Sequence, residues 1–158
     1  MEINVLVADD TEGCPEPDWL EEVTEKILTA QGASPSVEVG LAIVSQEKIR
    51  QLNLSYLGED SPTDVLSFPM LVASPEEDKT TFVAPPDDIK HLGEVIISCP
   101  QAAIQAKEHG HSLKKEIATL IIHGILHLLG YDHDTPERVR EMRSREREIW
   151  RQIEGEPK

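Results

Sequence analysis

Three histidines near the C-terminal end of the chain have the spacing of a metal site. His123, His127 and His133 stand in the segment HGILHLLGYDH, which has the form H-x-x-x-H-x-x-G-x-x-H. On a helix the first two lie on one face, because residues four apart are neighbours there. Gly130 can end the helix in a left-handed turn that returns His133 to the same point. Three neutral imidazoles can bind Zn²⁺ and leave a fourth position open, so the spacing predicts one zinc ion per chain.

The residue after the first histidine limits the chemistry of this site. Zinc proteases with the same histidine spacing carry a glutamate there as general base, whereas this chain has Gly124.

One alternative is that the histidines are core or surface residues bonded to backbone carbonyls. A purely structural zinc would usually have a fourth protein ligand, often cysteine, and none stands near. Asp132 and Asp134 stay open as fourth ligands, as partners of the histidines or as turn residues.

A small set of helices and strands must position these histidines. Residues 117–131 contain no charged side chain, which predicts a central helix that is apolar nearly all round. The sequence predicts an α+β (mixed α/β) fold, in which one small mixed sheet of about four strands packs with about five helices. The predicted strands cover 3–9, 37–45, 65–68 and 92–99, and the predicted helices cover 17–32, 46–58, 100–110, 112–130 and 135–155.

The length and charge of the chain restrict its class. A chain of 158 residues is expected to form a single domain, 1–158, with a loose tail at about 155–158. The net charge is −15, and residues 1–100 carry 20 acidic and 5 basic side chains, whereas residues 101–158 carry 10 of each. This balance argues against DNA as a partner and confines any nucleic-acid contact to the C-terminal part. The arginine-rich segment 138–151 is interpreted as a solvated face rather than a phosphate-binding strip.

The two cysteines and the other three histidines are interpreted as having no special role. Cys14 and Cys99 match no metal or redox spacing and are expected to be free thiols, one in a loop and one in a strand. The acidic N-terminus is unlike a signal peptide, and no apolar stretch reaches the ~20 residues of a membrane span. We therefore expect a reduced cytoplasmic protein. His91, His109 and His111 are interpreted as surface histidines.

Three segments together resemble the YbeY family, the bacterial endoribonucleases also described as rRNA maturation factors. HGILHLLGYDH resembles the family's metal signature, LNLSYLGEDSPTDVLSFP (52–69) its second signature, and LGEVIISCPQAAIQA (92–106) its strand-and-helix segment. The resemblance covers most of residues 37–150. It implies zinc bound through His123, His127 and His133. It also implies cleavage of single-stranded RNA, with roles in maturing the 3′ end of 16S rRNA and in ribosome quality control. The small ribosomal subunit or its proteins are then further partners.

The resemblance also directs attention to carboxylates and to one missing arginine. Asp64 and Asp132 are the candidate catalytic carboxylates, because the likeness places the turn containing Asp64 near the metal. The family has an arginine after the tyrosine of its second signature, where this chain has Tyr56 followed by Leu57. Leucine cannot neutralise a phosphate, so Arg50 or an arginine of the last helix is a possible substitute.

Three functions compete at this stage. The first is metal-assisted cleavage of an RNA phosphodiester, in which a hydroxide formed at the zinc, a carboxylate-assisted water or the 2′-OH of the RNA attacks. The second is a metalloprotease whose general base comes from another element. The third is a non-catalytic ribosome assembly factor that zinc stabilises, with its acidic face against a basic ribosomal protein.

Overall fold

The structure of the protein is a computed structural model that describes residues 2–8, 14–32, 36–60, 63–69, 90–129 and 135–154. Within these ranges the chain forms four strands and five helices. The strands are β1 (Glu2–Val7), β2 (Val37–Val44), β3 (Val65–Pro69) and β4 (Lys90–Ser98). The helices are α1 (Pro17–Ala30), α2 (Gln46–Leu57), α3 (Cys99–His109), α4 (Leu113–Leu128) and α5 (Pro136–Glu154).

The four strands form one mixed sheet in the order β1-β2-β4-β3. β1 and β4 both pair in parallel with β2, and β3 pairs antiparallel with β4 at the edge. The crossovers between the parallel strands contain helices, as parallel pairing requires. This arrangement confirms the predicted mixed α/β fold with its four strands and five helices.

Helix α4 lies in the centre of the core, as its uncharged sequence predicts. It packs on β3 and β4 and contacts α1, α3 and α5. Its isoleucines have no exposed surface: Ile117, Ile121, Ile122 and Ile125. Helix α2 packs on the other face of the sheet, where Ile49 lies in a second buried cluster with Val44, Leu66 and Ile96. The sheet therefore has helices on both faces, and none of the helices in the described ranges is long and apolar enough to cross a membrane.

Three predicted N-cap residues form capping hydrogen bonds in the structure. The hydroxyl groups of Ser45, Ser112 and Thr135 each accept a hydrogen bond from the backbone N–H three residues later, which satisfies a donor that the helix leaves unpaired. One helix start differs from the prediction. Helix α3 begins at Cys99 rather than Pro100, because Ser98 is its cap and accepts from the N–H of Gln101 at 3.2 Å.

The interpretation of the two cysteines as free thiols is wrong in this structure. Cys14 and Cys99 form a disulfide, with their Cα atoms 6.3 Å apart. The bond joins the segment before α1 to the start of α3, and Cys99 is buried there rather than in a strand. The two residues are 85 apart in the sequence, so their spacing carries no sign of the pairing.

Candidate metal centre

Helix α4 brings two of the three predicted ligands together. His123 and His127 are one turn apart, and their rings meet edge to face with centroids 4.7 Å apart. Their Nε2 atoms are separated by 3.2 Å. Two nitrogens, each about 2.05 Å from a tetrahedral zinc ion, would be about 3.3 Å apart. The two imidazoles therefore fit a shared zinc ion. His133, the third predicted ligand, lies outside the described residues.

The histidine pair opens into a cleft between α4, β3 and α2. The cleft has a volume of about 390 Å³ and is lined by His123, His127, the β3 residues Val65, Leu66, Ser67 and Phe68, and Tyr56 of α2. Tyr56 and Phe68 meet edge to face, with ring centroids 5.2 Å apart. The second signature segment and the histidine segment thus form two sides of one site, although they are about 60 residues apart.

A carboxylate from α5 supports the first histidine. Oε2 of Glu146 lies 3.4 Å from Nδ1 of His123, so the ring can donate its Nδ1–H to the carboxylate and keep the Nε2 lone pair for a metal. Such carboxylate–histidine contacts fix the tautomer and orientation of metal ligands. Sequence reasoning missed Glu146, because it is 23 residues from His123 on another helix and one of several acidic residues there.

The structure gives a steric reason for the glycine at position 124, which the sequence did not reveal. A Cβ atom built on Gly124 would lie 2.6 Å from Cγ1 and 3.0 Å from Cγ2 of Val95, and 3.3 Å from Oγ of Ser67. Ser67 also directs its hydroxyl to the carbonyl of Gly124 at 3.4 Å. The helix thus approaches β3 and β4 too closely to admit any side chain here, including the glutamate that zinc proteases use.

Of the two candidate catalytic carboxylates, Asp64 lies within the described residues. Asp64 directly precedes β3, and its backbone carbonyl accepts from the N–H of Ser98 at 3.0 Å. Its side chain lies 3.4 Å from the hydroxyl of Thr63 and is not among the groups that line the cleft. Asp132 lies outside the described residues.

Two of the other histidines form a second group that could hold a metal ion. His109 and His111 flank the turn between α3 and α4, and both contact Oε1 of the buried Glu116, through Nδ1 at 3.0 Å and Nε2 at 2.5 Å. Burial raises the pKa of Glu116, but the hydrogen bonds from His109 and His111 outweigh it, and the pKa lies below its usual value.

His91 lies on the sheet, and it too has a carboxylate partner. Its Nδ1 contacts Glu38 on the neighbouring strand, and this hydrogen bond lowers the pKa of Glu38. His91 and His109 are partly exposed, in keeping with their interpretation as surface histidines, whereas the side chain of His111 is only 24% exposed. The carboxylate partners of all three histidines were not predicted.

Fold and site together define a mixed α/β protein. Its candidate metal centre is built from histidines near the C-terminal end of the central helix. The comparison with known proteins makes the class specific. Residues 9–154 match the family model described as Endoribonuclease YbeY, and the chain belongs to this family. The family resemblance found in the sequence is therefore confirmed.

Several relatives share most of their length with this chain. An Endoribonuclease YbeY of Dehalococcoides mccartyi (strain ATCC BAA-2266 / KCTC 15142 / 195) is 52% identical over 135 residues, which cover 84% of this chain and 78% of the relative. The Endoribonuclease YbeY of Bacillus cereus (strain G9842) is 39% identical over 151 residues, or 94% and 95% of the two chains. The solution structure of TM1509 from Thermotoga maritima superposes with a TM-score of 0.58 at 28% identity, covering 98% of this chain and 93% of that one.

Proposed function

We propose that this protein is a zinc-dependent endoribonuclease specific for single-stranded RNA. It would act in the cytoplasm, in the maturation of the 3′ end of 16S rRNA and in ribosome quality control. Its membership of a family whose members are named endoribonucleases supports RNA cleavage. The observation that carries the metal assignment is the convergence of two Nε2 atoms, 3.2 Å apart, in an open cleft.

The donor set of the proposed centre suits zinc. His123, His127 and His133 would hold the ion, and imidazole ligands favour zinc, copper, nickel or iron over magnesium. When bound, zinc supplies Lewis acidity that stabilises the charge developing on the phosphoryl group and promotes the ionisation of water. The group His109, His111 and Glu116 has a different donor set at the other end of α4, and the proposed reaction does not use it.

The protein's own side chains prepare this site in three ways. The carboxylate of Glu146 would accept a hydrogen bond from the Nδ1–H of His123 and leave the Nε2 lone pair of that ring for the metal. Gly124 adds no second carboxylate next to His123, where its charge would repel an anionic phosphodiester. Asp64 and Asp132 remain the proposed catalytic carboxylates, because both adjoin segments that carry cleft residues or metal ligands.

The alternatives are weaker on specific grounds. The close approach of Val95 leaves no room for the usual protease base at position 124, so a protease would need its base from another element, and the family that the chain matches is named for RNA cleavage. A non-catalytic assembly factor would share the proposed partners, the small ribosomal subunit or its proteins, but would not turn over RNA. The acidic N-terminal part of the chain suits a basic ribosomal protein under either function.

Cleavage of an unstructured RNA by the purified protein, with and without a chelator, tests the proposal. We expect cleavage that a chelator abolishes, zinc restores and His127→Ala removes together with the bound zinc. His91→Ala is the matched control, since His91 pairs with Glu38 on the sheet and should leave both cleavage and zinc content unchanged. Cleavage that survives chelation and His127→Ala would come from a contaminating nuclease and would refute the proposal. Zinc-dependent folding without cleavage would favour the assembly factor.

A further inference from the structure

We infer that the groove between α4 and α5 is a binding subsite for single-stranded RNA, in which Arg143 and Arg147 bind phosphates and Trp150 stacks on a base. This inference rests on the proposed function and names where the substrate extends beyond the cleft. The groove has a volume of about 290 Å³ and is lined by Thr119, Ile122, Arg143, Glu146, Arg147 and Trp150.

The groove adjoins the candidate metal centre through Glu146. The carboxylate that contacts Nδ1 of His123 also forms part of the groove wall. Arg143 precedes Glu146 by three residues and Arg147 follows it by one, so both guanidinium groups extend from the same helix beside this carboxylate. A chain held in the groove is therefore next to the residues that would hold the metal.

Arg143 and Arg147 differ from Arg145 and Arg151 of the same helix in their partners. Arg145 donates to Oε1 of Gln31 at 3.1 and 2.7 Å, and Arg151 pairs with Glu148 at 3.1 Å. None of the ion pairs found in the described part of the chain involves Arg143 or Arg147. Both are exposed, and a guanidinium group offers paired donors that match a phosphate.

The spacing of the two arginines suits a nucleic-acid backbone. They are four residues apart on a helix, which is a rise of about 6 Å at 1.5 Å per residue. Their side chains point to one face of α5, so they can contact successive phosphates. The protein has a net charge of −15, and attraction for RNA must come from such a local group of cations.

Trp150 adds the component that distinguishes an unpaired strand from a duplex. The indole ring is partly exposed in the groove, and Nζ of Lys115 lies 5.8 Å from its centroid. Proteins that bind single strands combine cations along the backbone with aromatic rings on which bases stack. Stacking needs an unpaired base, so the groove selects single-stranded RNA by chemistry and not by sequence.

The arginine nearest the second signature segment is less suited to this task. Arg50 pairs with Asp60 at 2.8 Å and with Glu47 at 3.4 Å. These two carboxylates already neutralise its charge, so a phosphate would have to displace them. Of the two substitutes that the sequence left open for the missing arginine, the structure therefore favours the last helix.

The double variant Arg143→Gln/Arg147→Gln tests the subsite. Lys26→Gln/Lys48→Gln is the control with the same charge loss, at a partly exposed position of α1 and an exposed position of α2. Binding of a dye-labelled unstructured RNA is followed by fluorescence anisotropy over a series of salt concentrations, and cleavage by KM and kcat. We expect the arginine variant to raise KM at least tenfold with little change in kcat. The slope of log affinity against log salt should fall by about 1.4, because each phosphate contact in a single strand contributes about 0.7.

Substitution of the tryptophan provides an independent measurement. Trp150→Leu should weaken RNA binding by about 5- to 150-fold, the range for one stacked base, whereas Trp150→Phe should retain most of the affinity. A duplex of the same sequence should bind wild type and Trp150→Leu alike.

The results separate the subsite from the proposed function. If the wild type cleaves RNA and the arginine variant behaves like the lysine control, the subsite is refuted and the function stands. If RNA binds but is not cleaved, and the arginine variant loses the binding, the subsite stands without the activity. RNA that neither binds to nor is cleaved by the wild type refutes both.

Discussion

Gly124→Ala should destabilise the protein, although alanine is the better helix former. The added Cβ would lie 2.6 Å from Cγ1 of Val95, whereas carbon atoms in contact are ~3.5–4.0 Å apart. Val95 is 1% exposed, and a valine is stiff about χ1, so rotation does not relieve the clash. The helix must move away from the sheet and would displace His123 and His127 with it.

The magnitude follows from two opposing contributions. Overpacking of a tight core costs about 1–3 kcal/mol, and a contact this short belongs at the upper end of the range. Alanine in place of glycine in a helix interior contributes about 1 kcal/mol in the other direction. We therefore expect Gly124→Ala to lower the free energy of unfolding by about 2 kcal/mol.

A double-mutant cycle with Val95→Ala isolates the steric contribution. That substitution removes both Cγ atoms, so in its background Gly124→Ala should raise the free energy of unfolding by about 1 kcal/mol, the helix-propensity contribution alone. The coupling between the two substitutions is then about 3 kcal/mol. Gly40→Ala is a control, because a Cβ there would meet the flexible side chain of Glu94, at 3.2 Å.

Urea unfolding of the four proteins of the cycle, followed by circular dichroism, measures these values. If Gly124→Ala lies within about 0.5 kcal/mol of the wild type, the close approach of α4 to β4 is not the reason for the glycine. An equal loss in both backgrounds would also refute it. Alanine carries no charge, so a loss of stability would show a steric need for glycine independent of repulsion between a carboxylate and a phosphate.

Three further predictions follow from single contacts. Glu146→Gln, which weakens the acceptor for His123, should reduce zinc affinity by about 10- to 100-fold in competition with a chromophoric chelator; unchanged affinity would show that the contact does not orient the ligand. Cys14→Ser should lower the free energy of unfolding by about 2–4 kcal/mol without reductant, and the wild type should fall to the same value when its disulfide to Cys99 is reduced; equal stability in every condition would contradict this. The folded-state pKa of Glu116 is lowered from 4.5, so its stabilisation is complete above that pH and is lost as the pH falls through the folded-state value. The stability difference between wild type and Glu116→Gln should therefore shrink on acidification below 4.5, and a constant difference would refute the charged form of Glu116.

Much of the fold could be predicted from local patterns. Helix caps such as Ser45 and Ser112 act within one turn, and the uncharged stretch of α4 indicates burial because charged side chains are costly in a core. The helical period of 3.6 residues places His123 and His127 on one face whatever surrounds them. These features depend on residues close together in the sequence, and the structure contains them as predicted.

The sequence by itself determined the family, the order of helices and strands and the histidine pair on α4. The tertiary structure alone decided which residues support that pair. Glu146 contacts His123 across 23 residues, Val95 meets Gly124 across 29, and Cys14 pairs with Cys99 across 85. The physical reason is that a period or a cap acts within a few residues, whereas the distance between packed elements depends on every side chain between them.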